Sequence, residues 1–224
     1  MKALIFDSGP LINLSMNGLL QVLEKLKSSF QGKFLITSYV NQEVYEYPVQ
    51  VQQFELGALR IKQLIKRGVI EYPDSLNIAA KELEHETRKL TNLANTSLRA
   101  NEKSINIVSE AEMSCIALSK ILERKNIKSI IVIDERTARI LSEKPENLQR
   151  LMSARLHQKI IMITNNLKEF QGLSFIRSPE LVYVAYKKGL IELDDSRALE
   201  ALLYATKFKG AAISWEEINV LKKL

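Results

Sequence analysis

Short, continuous apolar runs alternate along the chain with longer segments of helical periodicity. The clearest runs occupy residues 3–6, 33–37, 129–133 and 159–164, and shorter ones occur at 69–72 and 173–176. Between them, apolar residues recur at steps of three or four, the spacing of an amphipathic helix. Strands so rich in Ile and Val are apolar on both faces, which is typical of a parallel sheet covered by helices on both sides. The sequence therefore predicts an α/β fold with three layers, α/β/α, around a central parallel sheet.

The alternation stops before the end of the chain. A length of 224 residues suits one α/β domain with a small helical appendage. The weakest point of the pattern lies around residues 171–179, and the sequence beyond it is helical in character. We therefore expect an α/β domain at residues 1–178 and a helical C-terminal extension at residues 179–224.

The net charge and the cysteine content limit which partners and cofactors the protein is expected to have. The net charge of +6 and the pI of about 9.3 favour an anionic partner such as nucleic acid. The single cysteine, Cys115, excludes an intrachain disulfide and a Cys-rich zinc site. No apolar run approaches the roughly 20 residues of a membrane-spanning helix, and the N-terminus turns polar too early for a signal peptide. We expect a cytoplasmic protein with no membrane partner.

Two of the predicted strands end in an acidic residue. Asp7 follows the run at 3–6, and Asp134 with Glu135 follows the run at 129–133. Ligands of open parallel sheets bind beyond the carboxyl ends of the strands. If the two strands are parallel neighbours, their carboxylates emerge at the same edge of the sheet. Either Asp134 or Glu135 can reach a ligand there, and Asp134 is the first candidate.

Two further acids have a topological reason to join them. Glu43 lies just past the run at 33–37, and Glu110 opens the helix that leads to the strand at 129–133. Carboxylates held close together resist joint ionisation, and a cation among them relieves the repulsion. Mg²⁺ and Mn²⁺ prefer such oxygen ligands and keep several of their waters. These positions therefore predict a divalent-metal site with the chemistry of a hydrolytic nuclease.

Glu110 and Glu112 compete for one place in this site. The stretch from Ser109 to Glu112 is a capping-box pattern, in which Ser109 caps the helix and Glu112 folds back to the backbone. This gives Glu112 a structural role. Glu110 projects about 200° away from it around the helix and is the preferred ligand.

Four stretches of the chain together resemble PIN-domain proteins. They are IFDSGPLINL, ITSYVNQEVYE, SEAEMSCIALSKIL and IIVIDERTARIL, all within residues 1–142. The later stretch YVAYKKGLI resembles the C-terminal helical part of one branch of prokaryotic PIN proteins. Each stretch alone has low specificity, and their shared order and spacing carry the resemblance.

The resemblance implies a three-layer fold, Mg²⁺ or Mn²⁺ as cofactor, and an endoribonuclease that cuts single-stranded RNA and leaves a 5′-phosphate. Matched position by position, it assigns catalysis and metal binding to Asp7, Glu43, Glu110 and Asp134, with Glu135 as a further metal ligand. Many relatives have aspartate where this chain has Glu110 or Glu135, and the longer side chain shifts where the metal would sit. The resemblance is compatible with a toxin that has an antitoxin protein as partner and with an RNA-processing enzyme. A homodimer is an expectation from the family.

Substrate contacts are predicted beside the acids. Ser8 occupies the place of the small hydroxyl residue that follows the first aspartate in the family, and it is a candidate substrate-binding residue. Arg136 and Arg139 lie next to the proposed site and are the preferred candidates for binding phosphate. The basic residues spread over 60–67 and 88–103 are more simply explained as solvated helix faces.

Two other functions compete with the ribonuclease. A catalytically inactive PIN scaffold would bind RNA or a protein partner through its long polar helix and its C-terminal extension. A DNA-structure nuclease would use more acids and two metals, and the number of acids here favours the smaller site. Convergence of the four acids separates the nuclease from the scaffold, because an acid that points away leaves the metal site incomplete.

Overall fold

The central feature of the computed structural model, which describes residues 1–101, 103–163 and 167–224, is a parallel sheet of four strands. Its strands are β1 (Lys2–Phe6), β2 (Gly32–Leu35), β5 (Lys128–Val132) and β7 (Phe175–Ile176). They lie in the order β2-β1-β5-β7, and all three pairings are parallel. The predicted α/β fold with a central parallel sheet is confirmed, and the arrangement is consistent with three layers. The short run at 173–176 forms an edge strand of this sheet, as predicted.

A second, smaller sheet contains the apolar run that was predicted as a further buried strand. Its strands are β3 (Leu98–Ala100), β4 (Lys103–Ser104) and β6 (Ile160–Met162), and both pairings are antiparallel. The run at 159–164 was therefore placed wrongly, because alternate residues of it face solvent: Ile161 is 53% exposed and Ile163 is 47% exposed. The last residue of the run, Thr164, lies outside the described residues.

Eleven helices are found in the described residues. They are α1 (Ser8–Met16), α2 (Gln21–Ser29), α3 (Ser38–Asn41), α4 (Gln52–Lys66), α5 (Ala80–Thr96), α6 (Glu110–Arg124), α7 (Arg136–Glu143), α8 (Leu148–Leu156), α9 (Ser178–Lys187), α10 (Ala198–Phe208) and α11 (Trp215–Lys223). A π-helix, Gln42–Glu46, continues α3, and 3₁₀ turns occupy Pro48–Gln50, Pro73–Leu76, Pro145–Asn147 and Leu167–Phe170. Within this part of the chain, no helix is long and apolar enough to cross a membrane.

Three predicted elements differ from the structure for local reasons. The helix expected after Asp7 is divided into α1 and α2 at Gly18, whose φ of 68° interrupts a right-handed helix. The helix expected over 136–152 is divided at Pro145, which lacks the amide hydrogen that a continuous helix needs. Residues 69–72, expected as a strand, contribute an isolated parallel bridge between Leu35 and Glu71.

The main core lies between the sheet and its helices. Helix α6 packs on β1 and β5 and is buried along most of its length, which explains its run of Ala, Ile, Leu and Cys. Its start is fixed by the predicted capping box: the Ser109 side chain accepts from the backbone of Glu112, and the Glu112 side chain accepts from the backbone of Ser109. This confirms that Ser109 is the N-cap.

The C-terminal helices are attached to the domain through α9. Leu181, Val182 and Ala185 on α9 are buried in the main core. A second cluster is centred on the buried side chains Leu203, Ile213 and Ile218 of the segment that contains α10 and α11. The expected division between residues 178 and 179 falls at the start of α9, and it stays a prediction.

Candidate functional site

The ends of β1 and β5 bring Asp7 and Asp134 together. The two strands are parallel neighbours, and the Asp7 amide donates to the Val132 carbonyl at 3.0 Å. Both aspartates are only 4% exposed. A Cβ atom added to Gly9 would lie 3.6 Å from the Asp134 Cβ and 3.7 Å from the Asp7 Oδ2. The two side chains therefore lie on either side of Gly9 at the carboxyl edge of the sheet, as the sequence predicts.

Asp7 is a buried carboxylate with an unsatisfied oxygen. It precedes α1, yet its side chain makes no capping hydrogen bond to that helix. Within the described part of the chain, no donor bonds to its buried Oδ1. Burial raises the pKa of Asp7 to about 7, and the charges of Glu43 and Asp134 add to the rise, while the backbone amides of Ser8 and Gly9 oppose it. A helix cap does not explain such a group.

The structure brings Glu112, rather than Glu110, towards Asp7. Burial raises the pKa of Glu112 to about 8, and nearby negative charges, first that of Asp7 and then that of Glu135, contribute to the rise. Glu110 is exposed at the start of α6. Its charge acts on a different group, Tyr39, whose pKa is raised by burial and further by Glu110. The carboxylate of Glu112 therefore caps the helix and also interacts with the charge of Asp7, so the choice between Glu110 and Glu112 as ligand stays a prediction.

Glu43 and Glu135 complete the acidic edge. Glu43 is half-buried on the π-helix Gln42–Glu46, and its charge contributes to the raised pKa values of both Asp7 and Glu112. Glu135 is the N-cap of α7 and accepts hydrogen bonds from the backbone amide and the hydroxyl of Thr137. A guanidinium nitrogen of Arg155 lies 3.6 Å from Glu135 Oε1. Glu135 thus has a structural role beside its place near the site.

Asp134 is held by hydrogen bonds from distant elements. Its Oδ1 accepts from the Ser178 amide at 2.8 Å, and its Oδ2 accepts from the Ser178 hydroxyl at 2.7 Å and from Asn13 Nδ2 at 3.1 Å. Burial raises the pKa of Asp134, and these hydrogen bonds oppose the rise. The Asn13 amide also donates to the Thr206 carbonyl at 2.8 Å. Asn13 and Ser178 were not identified from the sequence. The only sign of them is that each is a polar residue at a buried position.

The residues predicted to contact substrate lie around this edge. Ser8 is half-buried at the first position of α1, directly after Asp7. Arg136 and Arg139 line a groove of about 940 Å³ between α7, α8 and the C-terminal helices. A second cavity, of about 400 Å³, has Glu112 and Glu135 in its wall. The smaller cavity therefore opens at Glu112 and Glu135, and the larger groove begins at the neighbouring Arg136.

The acids are near one another without forming a closed coordination shell. Among residues 1–101, 103–163 and 167–224, no group of three or more His, Cys, Asp or Glu side chains has the spacing to hold one metal ion. Asp7, Glu43 and Glu112 act on one another electrostatically. The arrangement is a convergent set of carboxylates from three separate elements.

The raised pKa values predict how the stability of the metal-free protein depends on pH. Asp7 and Glu112 bind protons more tightly in the folded state than in the unfolded chain, from their ordinary values near 4 up to about 7 and about 8. The free energy of unfolding should therefore fall as pH rises from 5 to 8 in the presence of EDTA. Denaturant titrations at pH 5, 6, 7 and 8 measure this. A flat or rising profile would contradict the buried carboxylates.

Carboxylates whose pKa is lowered by folding do not change the expected loss of stability between pH 5 and pH 8. Burial raises the pKa of Glu71 and Glu217, but Lys33 and Lys27 beside Glu71, and the Ser214 amide and Arg177 beside Glu217, lower the two pKa values by more. Both carboxylates are ionised above pH 5 in the folded and the unfolded chain alike. They therefore contribute stability that is lost only at lower pH.

No protein-family model, no curated protein and no solved structure matches the chain. The resemblance to PIN-domain proteins therefore rests on the sequence stretches that carry it, and membership of that family stays a prediction.

Proposed function

We propose that this protein is a divalent-metal-dependent endoribonuclease of the PIN-domain type, which hydrolyses phosphodiester bonds of single-stranded RNA. One observation carries the proposal: the buried carboxylate of Asp7, with an unbonded oxygen, lies near Glu43 and Glu112 at the carboxyl edge of a parallel sheet. Three acids from separate parts of the chain have no shared structural role that accounts for their approach.

The donor set fits Mg²⁺ or Mn²⁺. All the available atoms are carboxylate oxygens, the ligands that these hard cations prefer. Asp7, Glu43 and Glu112 take part in none of the ion pairs formed by the described residues. Their mutual repulsion is thus uncompensated by any basic side chain, and a cation would relieve it. We assign the ion to these three residues, whose side chains would have to move closer together to bind it, since no three acids of the described residues are already spaced to hold one metal.

The remaining residues of the edge would orient the substrate and support the site. Bound at the three acids, the metal supplies an acidified water and offsets charge that builds on the phosphate. Arg136, exposed at the start of α7, would bind a phosphate of the RNA. Asp134, held by Ser178 and Asn13, would act as a positioning residue that keeps α9 against the sheet edge.

Cleavage of a labelled single-stranded RNA with Mn²⁺ and with EDTA tests the proposal. We expect cleavage in Mn²⁺, products that carry a 5′-phosphate, and no cleavage above background in EDTA. The same assay with a single-stranded DNA of the same sequence and with branched DNA separates this enzyme from a DNA-structure nuclease. Cleavage that continues undiminished in EDTA would remove the proposed mechanism.

A catalytically inactive scaffold is the second candidate, and the surroundings of Asp134 favour it. Both oxygens of that carboxylate are already occupied by Ser178 and Asn13, so a position implied to be catalytic performs a structural task. On this reading the protein binds RNA without cutting it. Absence of cleavage in Mn²⁺, together with retained RNA binding, would favour the scaffold. An antitoxin partner and a homodimer stay predictions.

A further inference from the structure

The groove beside the acidic edge is strongly basic. It has a volume of about 940 Å³ and lies between α7 and α8 on one side and the C-terminal segment on the other. Six basic and two acidic side chains line it, so its wall carries a net charge of +4. The basic residues are Arg136, Arg139, Lys144, Arg150, Arg177 and Lys207. A concave surface of one charge sign concentrates polyanions.

Four of these cations have no carboxylate partner among the described residues, and three of the four are exposed. Arg139 lies 3.6 Å from Glu143, and Arg177 is paired with Glu180 and Glu217. Arg136, Lys144 and Arg150 are exposed and take part in none of the ion pairs of that part of the chain. Their charges are therefore available to an anionic ligand.

Two exposed aromatic rings stand beside the groove. Phe208 is 72% exposed and Trp215 is 50% exposed, and their ring centroids lie 5.9 Å apart. Lys207 and Ser214, the neighbours of these two residues in sequence, both line the groove. The Lys207 ammonium lies 4.8 Å from the centroid of the Trp215 ring. Two adjoining exposed rings form a small apolar patch, and apolar patches rimmed by polar residues mark binding surfaces more often than single exposed apolar side chains do.

The groove lies next to the acidic edge. Ala212, in its wall, donates its amide hydrogen to the Asp134 carbonyl at 3.0 Å. Its own carbonyl accepts from the Arg177 guanidinium at 2.9 Å. On the opposite side, Arg136 is the residue after Glu135. A polymer lying in the groove would therefore pass beside the end of β5, where Asp134 and Glu135 follow the strand.

We propose that this groove binds a strand of single-stranded RNA, with its phosphates on Arg136, Lys144 and Arg150 and its bases stacked on Phe208 and Trp215. The inference rests on the proposed function for the identity of the polymer, and it adds where the strand lies and which C-terminal residues hold it. Basic grooves with aromatic rings at the rim are the usual solution for single strands, because every unpaired base has a face to stack. In a duplex those faces are already stacked on neighbouring bases. An acidic protein could bind the basic residues, but it has no bases to stack on the two rings.

The only tryptophan of the chain is Trp215, whose ring lies against Lys207 of the groove wall, so its fluorescence reports on a ligand bound there. The experiment titrates the full chain, in EDTA so that no cleavage occurs, with a short single-stranded RNA of mixed sequence. We expect saturable quenching by the single strand. The same RNA as a duplex should quench weakly, and inorganic tripolyphosphate should not quench. Equal quenching by the duplex or by tripolyphosphate would overturn the proposal.

Variants test the two kinds of contact separately. Reversing two charges with Lys144→Glu and Arg150→Glu should weaken binding by about tenfold or more and reduce its salt dependence. The matched control reverses the charges of Lys125 and Lys128, two exposed lysines just before and at the start of β5. This control should leave the affinity for RNA unchanged. Equal losses in both double variants would overturn the proposal, because they would indicate a nonspecific effect of net charge.

Phe208→Ala should weaken binding by about fivefold or more, because it removes a stacking ring while its high exposure leaves the fold intact. Unchanged affinity in this variant would overturn the stacking contact. The outcome is independent of catalysis. Groove binding without cleavage in Mn²⁺ would refute the ribonuclease and leave the groove, whereas cleavage without groove binding would refute the groove alone.

Discussion

Replacing Asp7 by Asn should reduce RNA cleavage in Mn²⁺ by at least about 100-fold. Loss of a residue that merely supports a metal ligand typically costs about 10- to 100-fold, and Asp7 is proposed to be a ligand itself. The amide is a similar shape but carries no charge, so it cannot replace a carboxylate as partner of a divalent cation. Single-turnover cleavage of labelled RNA measures the effect. A rate within about threefold of wild type would remove Asp7 from the mechanism.

The same variant should be more stable than the wild type when metal is absent. At pH 8 the buried Asp7 is ionised, and the rise in its pKa from 3.8 to about 7 corresponds to at most about 4 kcal/mol of destabilisation. Asn removes that charge, so we expect a higher free energy of unfolding in EDTA at pH 8 and a smaller gain at pH 5. This pattern separates loss of a ligand from loss of the fold, since a damaged protein would be less stable at both pH values.

Replacing Glu112 by Gln should lower cleavage by about 100-fold or more, as expected for a metal ligand, whereas Glu110→Gln should change it by less than about threefold. The two residues lie two positions apart on α6, and the variants remove the same charge. They differ in that Glu112 lies near Asp7 and Glu43, while Glu110 is exposed and acts on Tyr39. Apparent affinity for Mn²⁺, followed by thermal stabilisation, should fall for Glu112→Gln alone.

The reverse result is equally decisive. If Glu110→Gln abolishes cleavage and Glu112→Gln does not, the resemblance to PIN-domain proteins identifies the ligand better than the side-chain positions do. Glu112→Gln keeps an acceptor for the capping box, in which Gln serves as well as Glu, so its effect on the cap should stay below the roughly 1 kcal/mol that loss of the N-cap residue costs. Ser109→Ala, which removes the other half of that box, is therefore the control for loss of the cap. Normal cleavage in Ser109→Ala would assign the effect of Glu112→Gln to the site.

The parallel sheet was predictable because hydrophobic strands of this kind must be buried on both faces. The same composition misled at residues 159–164, since Ile160 is buried while Ile161 is exposed in a short antiparallel sheet. Sequence period alone does not identify the partner of a strand. The helix over 136–152 is divided at Pro145 because proline interrupts a continuous helix. The regular apolar spacing on both sides of Pro145 suggested one helix instead.

The acidic edge was predictable as far as strand ends determine it. Asp7 and Asp134 emerge together because β1 and β5 are neighbours, which the pattern of acids after apolar runs anticipated. The choice between Glu110 and Glu112 depends on which face of α6 meets the sheet. That orientation is set by packing across the whole helix. The bonds from Asn13 and Ser178 to Asp134 join residues more than a hundred and more than forty positions apart, respectively, so no local pattern encodes them.

The hydrogen bonds of Asn13 link the stability of the C-terminal helices to that of the sheet edge. One amide group serves both Asp134 and the Thr206 carbonyl on α10. If α10 moved away from α1, the buried Asn13 amide would lose the Thr206 carbonyl as an acceptor, at a cost of about 1 to 3 kcal/mol, and the group that holds Asp134 would be less firmly fixed. Residues 198–224 are therefore not a freely hinged tail, and opening them would loosen the edge on which the acids stand.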